Sequence, residues 1–370
     1  MIYFDNASTT KPSKSVIDVV KEAMEEDFAN ASSLHRIGNN SKNLLEASRK
    51  QIADFLQVKA DNLYFTSGAT EANNIAIIGA ALRGIKQKGN IVTDRLEHQS
   101  VIEAVRLAEF LGVEVRFVKN DKTGKIDLYD LENQIDEKTL LCSFMMVNNE
   151  TGTINPIEQA SEIVKSKNQN TIFHCDSVQG FTKHNIPIKY VDAVSLSAHK
   201  VHGPKGIGAL YLNNPKAIRT PVTGGGQERN LRGGTEALPS ILGFATAVSE
   251  SRKDSVAVKQ INEYLRKELQ KIKGVEINSP KDASPYILNV SIPALMSEVL
   301  RNALSMEQIY VSSGSACTKG HESHVLVGMD LSKANRQSAI RLSFSNENSI
   351  DEAKMFVDTL VNIISKYGGK

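Results

Sequence analysis

The sequence has none of the features expected of a membrane-spanning, secreted or nucleic-acid-binding protein. No apolar run approaches the roughly 20 residues that span a bilayer. The formal net charge of +2 gives no strongly basic surface for nucleic acid or an anionic membrane. The start of the chain, from Met1 to Asn6, lacks the basic and apolar regions of a signal peptide. We therefore expect a cytoplasmic protein that binds neither nucleic acid nor a membrane directly.

Cysteine is scarce, and the three cysteines lie in different settings. An odd, small number argues against a disulfide framework. Cys142 and Cys175 lie in apolar segments typical of buried strands, which favours small core residues over reactive thiols. Cys317 lies in a polar loop, 311–320, that has no apolar face to bury. No cysteine or histidine pair has a convincing zinc spacing, so we expect no metal site.

The chain does contain a regular alternation of apolar strands and amphipathic helices through its first two-thirds. This pattern indicates βαβ units and predicts an α/β fold with a mostly parallel sheet covered on both faces. Ligands bind beyond the carboxyl ends of the strands in such sheets. The last third has the pattern of a smaller α+β domain. We place a large domain at 12–251 and a small domain at 1–11 plus 252–370.

Lys200 is the first candidate for chemistry, in the segment SLSAHKVHGPKG (195–206). A strand pattern runs into a turn of small residues that carries His199 and Lys200. Desolvation there lowers the pKa of a lysine and makes the amine a nucleophile towards an aldehyde. The alternative is a surface lysine, as most of the 44 lysines and arginines are.

Two strand ends offer partners for a phosphorylated cofactor. In TSGATE (66–71) a strand turns into a helix, and exposed N–H groups at such a terminus suit a phosphate. The alternative is an ordinary helix cap formed by Ser67 or Thr70. Asp176 directly follows an apolar strand, where its carboxylate could hold the protonated pyridine nitrogen of pyridoxal phosphate. It could equally cap the next helix.

Three further loops fit the same cofactor. His98 stands beyond the strand Ile91–Thr93, where an imidazole can stack on a planar ring and move protons, or simply be solvated. Asn149, in VNNETG (147–152), could bind a phenolic oxygen or serve only the turn. The glycine-dense segment 223–235 allows backbone approach to a phosphate, also across a subunit interface, or is a flexible loop.

The order of these motifs resembles that of the cysteine desulfurases of the NifS/IscS type, class V relatives of the aminotransferases. The resemblance runs nearly end to end and is carried by YFDNASTT (3–10), SGATEANN (67–74), VNNETG (147–152), DSVQG (176–180), SAHK (197–200), RGGT (232–235), SSGSAC (312–317) and IRLS (340–343). It implies pyridoxal-phosphate fold type I, with a seven-stranded, mostly parallel sheet in the large domain and a smaller C-terminal α+β domain.

The resemblance also implies roles, position by position, in a catalytic site. Lys200 looks like the lysine that bonds the cofactor aldehyde, Asp176 like the partner of the pyridine nitrogen, and His98 like the ring-stacking acid and base. Arg341 matches the arginine that binds the substrate carboxylate, a task its bidentate fork suits. Cys317 matches the nucleophile that accepts sulfur.

The remaining matched residues are implied to surround the cofactor pyridoxal 5′-phosphate. Asn149 and Gln179 match ligands of the ring hydroxyl region, and Asn149 is also expected to contact the substrate. The residues that match the phosphate cradle are Ala69, Thr70, Ser197, His199 and, from the second subunit, Thr235.

The reaction implied by the resemblance removes sulfur from L-cysteine and leaves alanine and a persulfide on Cys317, in a homodimer. The thiolate is the nucleophile, and the sulfur passes to a protein acceptor such as an iron–sulfur scaffold, a tRNA-thiolation enzyme or a thiamine-pathway carrier. Alternatives are a selenocysteine lyase, another class V aminotransferase, or a non-catalytic sulfur-relay module with the same fold.

Two segments depart from the family pattern. ANASSLH (29–35) lacks the usual glycine and proline of an entrance turn, and the stretch after Cys317 looks shorter than in scaffold-loading relatives. The second difference bears on the reach of the loop and on the acceptor. His321 and His324, in that stretch, could tune the Cys317 thiolate, but we interpret them as solvated loop histidines.

Overall fold

The computed structural model describes residues 1–85, 88–251, 255–313 and 322–368. In these ranges the strands are β1 (Ile2–Tyr3), β2 (Leu63–Thr66), β3 (Asn90–Asp94), β4 (Glu114–Val118), β5 (Thr139–Met145), β6 (Ile172–Asp176), β7 (Ala193–Ser197), β8 (Gly208–Leu212), β9 (Glu276–Ile277), β10 (Ile287–Ser291), β11 (Ile309–Tyr310) and β12 (Ala339–Ser343). The α-helices are α1 (Lys14–Glu25), α2 (Arg36–Leu56), α3 (Ala69–Gly84), α4 (Gln99–Phe110), α5 (Leu128–Gln134), α6 (Ile157–Lys167), α7 (Leu238–Glu250), α8 (Val256–Leu269), α9 (Ser297–Met306), α10 (His324–Gly328), α11 (Lys333–Ser338) and α12 (Ile350–Tyr367).

A seven-stranded sheet forms the centre of the protein, in the order β2-β8-β7-β6-β5-β3-β4. Only β8 runs antiparallel to its neighbours within this sheet, so the prediction of a mostly parallel sheet is confirmed. Every residue of β2, β3, β6, β7 and β8 is buried. Strands buried on both faces require apolar residues at successive positions, which is the pattern seen in the sequence.

A smaller three-stranded antiparallel sheet, β12-β10-β9, forms from the last third of the chain. The N-terminal strand β1 pairs in parallel with β11, so the first residues join this part of the protein. The Phe4 ring packs edge-on against Phe344 and Phe356, with centroids 5.2 and 6.0 Å apart. The two ends of the chain therefore share one apolar cluster beside the main sheet.

The structure agrees with most of the predicted elements and shifts some of their ends. Cys142 and Cys175 are fully buried, as predicted. α2 begins at Arg36, directly after His35, whose Nδ1 accepts the Gly38 N–H at 3.1 Å and caps the helix. After the glycine-dense segment, α7 begins at Leu238, with a proline in its first turn.

None of the described helices is both long enough and apolar enough to cross a membrane.

A buried ion pair fixes the glycine-dense segment against the main sheet. Arg49 on α2 donates two hydrogen bonds to Glu228, at 2.7 and 2.9 Å, and both side chains are almost fully buried. Glu228 also accepts the Phe65 N–H, at 2.8 Å. Glu228, Arg229 and Asn230 all have left-handed φ values, of 45°, 54° and 66°. The ion pair offsets the cost of this backbone strain and holds the segment beside β2.

We expect Arg49→Met to destabilise the protein by about 3 kcal/mol, because it leaves the Glu228 carboxylate buried without its cation. Denaturant unfolding followed by circular dichroism measures the change. Arg229→Met is the matched control, since Arg229 pairs with Glu46 and Asp61 at the surface and should cost less than about 1 kcal/mol. Equal losses in the two variants would contradict this interpretation.

Candidate active site

A cavity of about 430 Å³ lies at the carboxyl ends of the parallel strands. Most of the residues that the sequence predicts for a site line this cavity, namely Ala69, Thr70, His98, Asn149, Asp176, Gln179, Ser197, His199, Lys200 and Arg341. Thr235 lies outside it, on the protein surface. Cys317 and His321 lie outside the described residues.

One end of the cavity is the N-terminus of α3. The helix is capped by Gly68, and no side chain bonds its first N–H groups, so the interpretation of Ser67 or Thr70 as a cap is wrong. Gly68 has a φ of 155°, and a Cβ there would meet nothing within 4 Å. Gly208 on β8 approaches so closely that a Cβ added to it would lie 2.8 Å from the Gly68 Cα. The helix terminus therefore presents open N–H groups to the cavity, which suits an anion.

Asp176 ends β6 in the floor of the cavity and is tied to His98 through two other side chains. Asn73 Nδ2 donates to Asp176 Oδ2 and to Ser100 Oγ, both at 2.8 Å. Ser100 Oγ lies 2.8 Å from His98 Nδ1, and it donates its proton there because Nδ1 already accepts the Ser100 N–H and therefore carries no proton. Asp176 Oδ1 accepts the Val178 N–H at 3.0 Å, and no helix follows for it to cap.

His98 caps α4 through its Nδ1, which also accepts the Ser100 N–H at 3.1 Å. With Nδ1 an acceptor, the neutral imidazole carries its proton on Nε2. Burial lowers the pKa of His98 below its ordinary value, and the Asp176 carboxylate opposes this by favouring the charged ring. The imidazole of His98 is thus half-buried and neutral near pH 7, not a solvated loop side chain.

Lys200 ends a short 3₁₀ turn, Ala198–Lys200, directly after β7. Its Nζ donates to the backbone carbonyls of Ala7 and Ser8, both at 2.7 Å. The neighbouring His199 accepts the Thr10 N–H through its carbonyl, at 2.9 Å. The N-terminal segment therefore lies across the turn that carries Lys200, so this lysine is not a surface residue.

Gln179 lies between the N-terminal segment and a second lysine. Its Nε2 donates to the Ala7 carbonyl at 2.9 Å, and its Oε1 accepts from Lys183 Nζ at 3.3 Å. Burial lowers the pKa of Lys183 to about 8. The lysine fixes which end of the Gln179 amide is the oxygen, so the NH₂ group faces Ala7.

Arg341, in β12 of the smaller sheet, reaches the cavity from the opposite side. Its Nη1 donates to the Asn149 carbonyl at 2.7 Å, and its Nη2 donates to Asp5 and Ser8 at 2.9 and 2.6 Å. The buried Nε has no hydrogen-bond partner among the described residues. A buried unpaired donor costs free energy unless a ligand accepts from it, and a carboxylate is suited to that task.

A family model described as aminotransferase class-V matches residues 2–356. A "NifS/IcsS protein homolog" of Lactobacillus delbrueckii subsp. bulgaricus is 39% identical over 96% of this chain and 95% of its own. A "Cysteine desulfurase IscS" of Dictyoglomus turgidum is 35% identical over 99% of this chain and 95% of its own.

Solved structures show the same likeness. A "NIFS-like protein" aligns over 99% of both chains with a TM-score of 0.93 and 36% identity. A structure titled "SspA in complex with cysteine" covers 93% of this chain and 99% of its own, with a TM-score of 0.84 and 33% identity.

The fold is that of the pyridoxal-phosphate enzymes of fold type I. The chain belongs to the class V aminotransferase family, and pyridoxal 5′-phosphate is its cofactor. The residues present fit that group. The uncapped N-terminus of α3 suits the phosphate, and Lys200 suits the aldehyde. Asp176 forms no ion pair within the described ranges, so its carboxylate is available to a protonated pyridine nitrogen.

Sequence reasoning missed four residues that shape the site. Asn73 lies in the motif SGATEANN (67–74), but the sequence analysis gives it no role. A polar residue on the otherwise apolar, buried face of α3 could have identified it as part of the site. Ser100 and Ser8 gave no such signal, because serines are common in loops and at helix starts. His324, interpreted as solvated, is instead half-buried and bonds the Glu97 carbonyl at 3.0 Å.

Beneath Asp176, His174 is fully buried between Ser143 and Ser195, 2.8 and 2.9 Å from their hydroxyls. Burial lowers the pKa of His174 from 6.5 to about 4. The unfolded chain therefore binds a proton before the folded one as the pH falls from 6.5 to 4, and folding loses stability across that window. The full shift corresponds to about 3 kcal/mol.

We expect His174→Gln to reduce the loss of unfolding free energy between pH 6.5 and 4, whatever the effect of the substitution on stability at pH 7. Urea unfolding midpoints measured at half-unit pH steps test this. A variant with the same slope as the parent would show that other groups cause the acid sensitivity.

Proposed function

We infer that this protein is a cysteine desulfurase, which converts L-cysteine to L-alanine and retains the sulfur as a persulfide on Cys317. The observation that carries the proposal is the single cavity that brings Lys200, Asp176, His98 and Arg341 together. Relatives named cysteine desulfurase, similar over the whole chain, support the reaction type. The complex of a similar structure with cysteine supports the substrate.

The cofactor, when bound, supplies an electron sink for the negative charge that forms on the substrate carbon. We propose that Lys200 Nζ holds its aldehyde carbon and that Asp176 holds its ring nitrogen. The phosphate is assigned to the α3 terminus with Ala69, Thr70, Ser197 and His199, and the ring hydroxyl to Asn149 and Gln179. Burial lowers the pKa of His199 to about 4, so its ring is neutral and can donate one hydrogen bond to a phosphate oxygen.

Proton movements fall to Lys200 and His98. Lys200 Nζ would be the base that takes the proton from the substrate Cα. His98 holds its proton on Nε2 and faces the cavity, where it can donate to the substrate and stack on the ring. The Asn73–Ser100 relay keeps the His98 ring in one tautomer and one orientation.

Arg341 orients the substrate. Its unpartnered Nε and its Nη2, which is shared between Asp5 and Ser8, form the edge that a substrate carboxylate can occupy. Arg341 is almost fully buried, so water competes weakly for it. With the carboxylate fixed, the substrate sulfur is presented to Cys317. The thiolate forms the new sulfur–sulfur bond as the carbon–sulfur bond breaks; the electron pair of the broken bond stays on the substrate carbon, which takes up a proton as alanine forms.

The finer parts of the proposal concern partners and location. We propose a homodimer in which Thr235 completes the phosphate site of the partner. We also propose transfer of the persulfide sulfur to a protein acceptor, for iron–sulfur cluster assembly or for tRNA or cofactor thiolation; relatives named IscS support the first. The free thiols of Cys142 and Cys175 support a cytoplasmic location.

The division into a large domain (12–251) and a small one (1–11 and 252–370) is likewise a proposal. The pairing of β1 with β11 supports it, as does the separate sheet that contains β12.

The reaction is tested by incubating the holoenzyme with L-cysteine and measuring the mass of the peptide that contains Cys317. We expect one added sulfur atom on that peptide and an equivalent amount of alanine. Alanine without the adduct would assign the nucleophile elsewhere, and the absence of both would refute the desulfurase assignment.

Two substitutions separate cofactor chemistry from sulfur transfer. Lys200→Ala should abolish the visible absorption of the covalently held cofactor. Cys317→Ser should keep that absorption and the spectral change on adding cysteine, but form no persulfide. Full turnover by Cys317→Ser would favour an aminotransferase.

The proposed dimer predicts a role for apolar side chains exposed near the N-terminus. Met24, Phe28 and Leu34 are 63%, 72% and 94% exposed, and we propose that these apolar side chains contact the second subunit. We expect the double variant Phe28→Asp/Leu34→Asp to sediment as a monomer. Phe110→Asp, a change at another exposed phenylalanine (86%), should leave the dimer intact. A parent protein that sediments as a monomer would refute the dimer.

A further inference from the structure

The side-chain amide of Gln179, which lines the cavity of the proposed site, is held at both of its ends. Nε2 donates to the Ala7 carbonyl at 2.9 Å, and Oε1 accepts from Lys183 Nζ at 3.3 Å. A carbonyl only accepts and an ammonium only donates, so the two neighbours require the same orientation of the amide. Nε2 carries two N–H groups, and Ala7 accepts from one of them. The second finds no acceptor within the described ranges, so it is available to a group bound in the cavity.

The same carbonyl connects this amide to the lysine of the proposed reaction. The Ala7 oxygen accepts from Lys200 Nζ at 2.7 Å as well as from Gln179 Nε2. A carbonyl oxygen has two lone pairs, and two donors use both. If the Gln179 amide were reversed, its Oε1 would face the Ala7 oxygen with no proton between them, which costs free energy. The orientation of the amide therefore bears on the atoms that surround Lys200.

Lys183 lies partly buried without the carboxylate that such a lysine usually has. Burial lowers its pKa to about 8, and no described carboxylate lies near enough to oppose that shift. Lys165, which is also partly buried, pairs with Asp192. The other contact of Lys183 Nζ is with the face of the Tyr286 ring, 5.6 Å from its centroid, a weaker acceptor than an amide oxygen. Desolvation of this ammonium is therefore offset mainly by its hydrogen bond to Gln179.

We propose that Lys183 is a positioning residue, which holds the Gln179 amide so that its NH₂ group donates to the ring oxygen of the cofactor. The inference rests on the proposed function, in which Gln179 binds that oxygen. Lys183 does not line the cavity of the site and borders a separate one of about 360 Å³, so its effect passes through the amide. A hydrogen bond from an ammonium also polarises the amide and makes its N–H groups better donors.

The test compares Lys183→Met with Lys259→Met in the holoenzyme. Lys259 is an exposed lysine that lines a cavity of about 600 Å³ together with Lys183 and makes no described contact with Gln179. We expect Lys183→Met to weaken the binding of pyridoxal 5′-phosphate about fivefold in equilibrium dialysis, the usual effect of losing one hydrogen bond. It should also raise the pH midpoint of the visible absorption change by about half a unit, because the ring oxygen anion loses support from a donor. Lys259→Met should match the parent in both measurements, and Lys183→Arg should restore most of both.

A double-variant cycle assigns the effect to Gln179. Gln179→Ala should change both measurements in the same direction, and Lys183→Met/Gln179→Ala should change them no further than Gln179→Ala alone. Additive changes would show that Lys183 acts through its charge and not through the amide, and they overturn the proposal. Parent-like values in Lys183→Met or in Gln179→Ala, or equal changes in Lys259→Met, also overturn it. A parent enzyme that binds the cofactor but forms no alanine from cysteine overturns the desulfurase assignment alone, so the two failures are distinguishable.

Discussion

The buried guanidinium of Arg341 joins the parts of the chain that build the site. A buried cation must be paired and hydrogen-bonded, and Arg341 finds its partners in the N-terminal segment and in the loop after β5. These contacts bring the smaller sheet against the carboxyl edge of the main sheet. The Ala7 and Ser8 carbonyls, held by the same segment, then accept from Lys200. The arginine and the lysine of the proposed reaction are therefore positioned by one short stretch of chain.

The sequence predicted the main sheet and the location of the site for a physical reason. Parallel strands that are buried on both faces must be apolar throughout, so the polar residues that follow them stand out. Asp176 ends such a strand, and His98, Asn149 and Lys200 follow others. A parallel sheet brings these ends to one edge. The resemblance added Arg341, which no strand end on the main sheet could have indicated.

What the sequence could not predict depends on contacts between distant residues. The His35 cap of α2 needs the imidazole in one rotamer, and the Gly68 cap of α3 becomes evident only when the cavity beside it is known. The link from Asn73 to His98 runs through a serine on another helix. His324 was interpreted as solvated because its neighbours in the sequence are polar, whereas its partners lie more than two hundred residues away.

Burial also sets the charge of the site. Asp94 and Glu97 lie just before His98, and both are fully buried. Desolvation raises the pKa of Asp94 to about 6, and it raises that of Glu97 well above its ordinary value, helped by the neighbouring carboxylates. Glu97, whose pKa is raised the further of the two, does not raise the imidazole pKa as a permanently charged carboxylate would. The Asp176 carboxylate opposes the effect of burial on the pKa of His98. The same group that suits a ring nitrogen therefore also influences how readily the histidine gives up its proton.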